Sequence, residues 1–171
     1  MESSIDVRAY AYGVLERFKK GLQEMGYLLP TGLVLEPTGR IDAFELDLSN
    51  KEAEKQAMER LGRLARETQA VAVFTIKDTS YQVFPREGEE PATRTNDPNQ
   101  ADSFCPDGVP RTCICMEIRV EGQTPTIVMI PYRISEQGKI EFGERAEAPL
   151  DFIGPEPPDL GSDDSVANNQ N

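Results

Sequence analysis

Val71-Ala72-Val73-Phe74-Thr75-Ile76 is the stretch on which the fold turns. It is unbroken apolar sequence, rich in β-branched and aromatic residues. It is also too short to stand as a helix. Such a run reads as a central strand buried on both faces. The residues just before it have the opposite character. Ala53, Ala57, Leu61, Leu64, Ala65 and Thr68 recur at helical spacing, with Lys51, Glu54, Lys55, Glu59, Arg63 and Arg66 off that stripe. Ser49 followed by Glu52 has the spacing of a capping box. The alanine-rich stripe lets this second helix lie close against a sheet.

Upstream, Leu33-Val34-Leu35 meets Glu36-Pro37-Thr38-Gly39, a Pro/Gly turn, and Ile41 to Leu48 returns with Phe44, Leu46 and Leu48 on alternate positions. That predicts a hairpin. Before it, Val7, Ala11, Val14, Phe18, Leu22 and Met25 step by three and four, widened by Tyr10 and Leu15. The spacing predicts a first amphipathic helix from about Ser4 to Met25, capped by Ser3 or Ser4 and ended by Gly26. Gly13 and Gly21 weaken it, so packing must hold it.

Downstream, Lys77-Asp78-Thr79-Ser80 reads as a turn and Tyr81-Gln82-Val83-Phe84 as a short return strand. The stretch 86–110 holds four prolines and is far longer than most connections within a domain. A meander follows. Thr112 to Glu121 alternates through Ile114, Met116, Ile118 and Val120. Thr126 to Ser135 and Lys139 to Gly143 supply two further strands. Pro131 removes a ladder donor, which calls for an open edge or a bulge there. From residue 149 the chain turns Pro-rich and acidic, with too little apolar surface to fold alone. The expected architecture is therefore α+β, with two amphipathic helices on one face of a mainly antiparallel sheet, a two-layer sandwich. Residues 1–148 form one domain carrying the long loop 86–110, and 149–171 form a disordered acidic tail.

Composition removes whole classes of chemistry. The chain has no histidine. That excludes a Ser-His or Cys-His pair within the chain, an HExxH zinc site and a histidine proton shuttle. The net charge is -12, and five acids sit in residues 151–171 without a single Lys or Arg. An acidic surface without clustered bases argues against nucleic acid and against an anionic membrane. The first residues have neither a basic nor an apolar region of a signal peptide, and no apolar run approaches membrane-spanning length. Three cysteines without such a signal read as reduced thiols in a cytoplasmic protein.

Ile130-Pro131-Tyr132-Arg133 followed by Lys139-Ile140-Glu141-Phe142-Gly143-Glu144 resembles a group of small bacterial proteins ending in a "PY(R/K)…(V/I)EFGE" pattern. The resemblance covers about Leu28 to Glu144. It implies continuity of fold and carries over no activity and no functional residue.

Two clusters merit a chemical reading. Cys105, Cys113 and Cys115 have the spacing C-x7-C-x-C, one ligand short of a usual zinc or iron–sulfur set unless Asp107 or a partner's residue completes it. Cys105 meeting Cys113 would be the redox alternative, with Arg111 the one base close in sequence. Against both stands the plain reading of small buried apolar residues. Glu45 and Asp47 lie two apart on a strand and point to one face. Asp42, Asp78 and Glu117 are possible companions. Together they could hold Mg²⁺ or act as an acid/base pair, or simply line a solvated sheet face. No glycine-rich phosphate loop is present. The expectation is a protein-binding or accessory module without a cofactor, forming a homodimer through a sheet edge near Lys139 to Glu144 or beside Pro131. The alternative is a small carboxylate- or cysteine-based hydrolase or metal-dependent enzyme.

Overall fold

Both helices begin where a side-chain oxygen takes a backbone N–H. In the computed structural model, which describes residues 5–83, 87–88, 108 and 110–150, Asp6 caps α1 (Val7–Met25) by accepting from Ala9 N at 3.1 Å. Cys105, nearly all of the loop expected over 86–110, and the tail expected over 149–171 apart from Pro149 and Leu150 lie outside the described residues. Asn50 caps α2 (Lys51–Glu67) by accepting from Ala53 N at 2.9 Å. The cap is thus Asn50 and not the expected Ser49. Asp47 Oδ1 binds the Ser49 backbone N–H at 3.0 Å. That local turn keeps the chain extended for one more residue, and Asn50 itself stands at φ -156°. Gly26 stops α1 as expected. Its φ is 78° and its N–H reaches Leu22 O at 2.8 Å. α2 closes the same way but without glycine. Gln69 takes the left-handed conformation at φ 51°, while Ala70 N reaches Ala65 O at 2.9 Å.

The strands are β1 (Thr31–Leu35), β2 (Ile41–Glu45), β3 (Ala72–Tyr81), β4 (Arg111–Arg119), β5 (Thr126–Ile134), β6 (Ile140–Phe142) and β7 (Ala146–Pro149). They form one seven-stranded sheet in the order β2-β1-β3-β4-β5-β6, with β7 also on β5, and the six pairings among the described residues are antiparallel. Two details depart from the sequence reading. Lys77-Asp78-Thr79-Ser80 is not a turn. β3 runs through it in register with Arg111–Arg119. Its polar side chains mark the part of the strand beyond the apolar core. β7 was not expected, because Ala146-Glu147-Ala148-Pro149 has no apolar alternation. It holds its place by pairing with Thr126–Met129 and through Glu147, which meets Tyr12 and Arg8 of α1.

Pro131 explains why the outer side of β5 is shared by two strands. Its carbonyl accepts from Gly143 N at 2.8 Å. The N–H and C=O of a strand residue point the same way, so the missing donor also faces outward. There the outer partner is interrupted, between Phe142 of β6 and Ala146 of β7. No bond to β4 is lost.

The larger core cluster lies on one face. Leu33, Leu35, Ala72, Phe74, Ile76, Ile114, Met116, Ile118, Val128 and Ile130 meet Ala11, Val14, Leu15 and Leu22 of α1. Each fully buried Leu or Val contributes about 1.5–3 kcal/mol. The α+β class with helices against the sheet is as expected, but the layering is not. α2 lies on the opposite face from α1. Gly32 points to that other face, where a Cβ would stand 3.1 Å from Leu46 Cδ2 and 3.2 Å from Leu61 Cδ1. Leu61, α2's buried residue, is absent from the α1 core. The cause is topological. β2 and β3 both run antiparallel to β1, so α2 must cross over β1 to join them, and it crosses where Gly32 leaves room. β3 is accordingly central, with Ala72, Phe74 and Ile76 buried under α1 and Val73 and Thr75 half-buried on the α2 face.

Candidate interaction surface

The helical stripe of α1 is fully buried only as far as Leu22. Gly26 then turns the chain off the helix axis, and the apolar residues that follow no longer face the sheet. Met25, Tyr27 and Leu29 are 56%, 55% and 45% exposed, three of the four large hydrophobic side chains exposed among the described residues. The three-and-four spacing puts Met25 on the core stripe, yet it is exposed. These residues line a groove of about 280 Å³ with Phe18, Gly21 and Arg17. A Cβ on Gly21 would lie 3.7 Å from Met25 Cε, so the bare glycine deepens the groove. Thr31 also lines it, and its hydroxyl donates to Leu29 O at 2.8 Å. Arg17 stands exposed at the rim and takes part in no ion pair among the described residues.

A second groove, about 290 Å³, runs between α2 and the far face of the sheet. Leu46, Leu48, Met58 and Ile127 form its apolar walls, and Lys77, Cys115, Glu117 and Arg119 its polar part. Arg119 Nε pairs with Glu117 Oε1. Strand alternation puts Cys113 on the same face, in register with Thr79 and Pro131. Burial, then the neighbouring Cys115 and Asp78, pushes the Cys113 thiol up to about 12. Burial raises Cys115 as well, with Lys77 opposing and Glu117 assisting. Both are free thiols. A nucleophilic or metal-binding cysteine needs its thiolate, and these environments favour the protonated form.

The three carboxylates are not brought together. Glu45 ends the sheet-edge strand β2, and Asp78 lies on β3 with β1 between them. Asp47 is past the end of β2, where the Ser49 hydroxyl and backbone N–H hold its carboxyl below the usual range. Asp78 Oδ2 accepts from Tyr132 Oη at 2.7 Å. Burial first, and then this bond, raises the Tyr132 phenol. Among the described residues no three His, Cys, Asp or Glu side chains are placed to hold a metal ion, and no helix is long and apolar enough to cross a membrane.

The apolar groove was not legible in advance. Its one sequence signal is the spacing Met25, Tyr27, Leu29 around the helix-ending Gly26, where a stripe outlives the element that would bury it. No family model, curated protein or solved structure matches this chain.

Proposed function

We propose that this chain is a protein-binding module that receives a partner in the groove at the C-terminal end of α1. The observation that carries the reading is the convergence of Met25, Tyr27 and Leu29 on one groove beside Arg17, which makes no ion pair among the described residues. Aromatic residues, methionine and arginine are the types enriched where interfaces form, and a few of them supply most of the binding energy. The groove asks for a short segment with an aromatic or branched apolar anchor next to a carboxylate. The anchor covers Phe18, Met25 and Leu29, and the carboxylate meets Arg17. The free thiols of Cys113 and Cys115 favour a reducing, cytoplasmic setting for that partner.

A peptide-display selection on the whole protein, with counter-selection on Leu29→Asp, tests this. Selected peptides should combine an apolar anchor with Asp or Glu and should shift backbone amide resonances of residues 17–31. They should lose most of their affinity to Leu29→Asp and to Arg17→Glu. Peptides that shift other residues, or that bind both variants as well as the parent, would refute it.

A further inference from the structure

The hydrogen-bond register leaves one edge of the sheet able to pair with itself. Glu36 N bonds Arg40 O and Leu46 N bonds Pro30 O, both at 2.8 Å, so even-numbered positions of this segment face β1. By alternation Ile41, Ala43 and Glu45 direct their N–H and C=O groups outward. No strand among the described residues meets them. β6, the edge on the other side, offers three residues where β2 offers five.

We propose that β2 pairs antiparallel with β2 of a second copy about Ala43, joining two seven-stranded sheets. In that register Ala43 bonds Ala43 of the second copy, and Ile41 and Glu45 bond each other in both directions. Asp42 stands opposite Phe44. No like charges stand directly opposite each other, whereas a symmetric pairing centred on Glu45 would oppose two carboxylates. The helices on the α2 face agree with this register. Arg60 lies 4.9 Å over the Phe44 ring, on the flank of α2 nearest this edge. Glu67 is seven residues on, along the same flank. Neither makes an ion pair among the described residues. α2 runs antiparallel to β2, so the two-fold axis sets Arg60 of one copy beside Glu67 of the other. Within a copy the two are about 10 Å apart along the helix and do not meet. This contact is independent of the α1 groove, which lies on the other face.

Sedimentation equilibrium of the full chain over a concentration series is the test. The parent should be dimeric at about 100 μM, with dissociation on the order of 10 μM, as a short strand seam implies. Ala43→Pro removes the outward donor at the axis without touching a bond to β1. It should be monomeric throughout with an unchanged far-UV spectrum. Arg60→Glu should weaken the dimer at least tenfold, and Arg60→Glu with Glu67→Arg should restore it. A parent that stays monomeric at 200 μM, roughly twenty times that constant, would overturn the proposal. So would a folded Ala43→Pro that still dimerises, or a dimer lost instead by changes at Ile140–Phe142. Should Ala43→Pro not fold, the charge reversal and its rescue decide alone, and absence of rescue overturns the proposal.

Discussion

Leu61→Ala should be among the most damaging single truncations in the chain, and its cost should be recoverable from the sheet side. Leu61 is 1% exposed and is the buried residue that fixes α2 to the sheet. Leu→Ala in a core costs about 2.7–5 kcal/mol, the spread set by how well the surroundings collapse. Here collapse is poor. The residue beneath is Gly32, which has no side chain to move into the space, and Leu46 touches the same spot from one side. The expected cost is therefore in the upper half, about 4 kcal/mol. Gly32→Ala in the parent adds a Cβ 3.2 Å from Leu61 Cδ1 and 3.1 Å from Leu46 Cδ2. Overpacking of that kind costs about 1–3 kcal/mol, partly offset by about 0.5 kcal/mol from removing a strand glycine. With Leu61 shortened the same Cβ fills the hole, so Gly32→Ala should turn stabilising. The pair should show a coupling on the order of 2 kcal/mol. Urea unfolding of the four proteins, followed by circular dichroism with the slopes compared, measures it. A Leu61→Ala cost below about 1.5 kcal/mol, or strictly additive effects, would refute the claim that α2 docks through this one contact.

Gly13→Ala should stabilise by about 0.5–1 kcal/mol in thermal unfolding, since Gly13 is a helical glycine whose added Cβ meets nothing within 4 Å. Asn50→Ala should cost about 1 kcal/mol through loss of the bond to Ala53 N, while Ser49→Ala should cost less than half as much, which separates the observed cap from the capping box. Gln69→Gly should stabilise by about 0.5–1 kcal/mol, because a left-handed non-glycine residue costs about 1–2 kcal/mol and the looser unfolded chain returns part of that. The raised Cys113 thiol gives a pH signature. The unfolded thiol ionises near its ordinary 9.0 and the folded one near 12, so the folded state holds the extra proton between them. This contribution is intact below pH 9 and is lost as pH rises toward 12. The stability advantage of the parent over Cys113→Ala should therefore shrink across that window, and a constant gap would disprove it.

Period and punctuation made most of the elements readable. α1 and α2 follow from apolar stripes at three-and-four spacing, and Gly26 as a helix stop follows from its freedom at positive φ. The alternation in residues 112–120 and 126–134 gave β4 and β5, because a strand's two faces see different surroundings. Pro131 as a break in the outer ladder was legible for the same local reason, a missing donor. These are properties of a residue and its near neighbours, and local sequence encodes them directly.

What the residues left open depends on partners distant in the chain. Lys77 to Ser80 looks like a turn until β4 pairs with it, and Ala146 to Pro149 looks like loop until β5, Tyr12 and Arg8 hold it. Glu45, Asp47 and Asp78 look like a cluster until β1 separates two of them and Ser49 occupies the third. Met25 has the spacing of a core residue, yet the folded chain leaves it exposed. The sequence alone determined that the chain has two amphipathic helices and a mainly antiparallel sheet, and that histidine chemistry is absent. That the helices take opposite faces emerges only once the chain is folded. That choice rests on a crossover over β1 and on the missing Cβ of Gly32, and hydrophobic period carries no information about which side of a sheet a helix will choose.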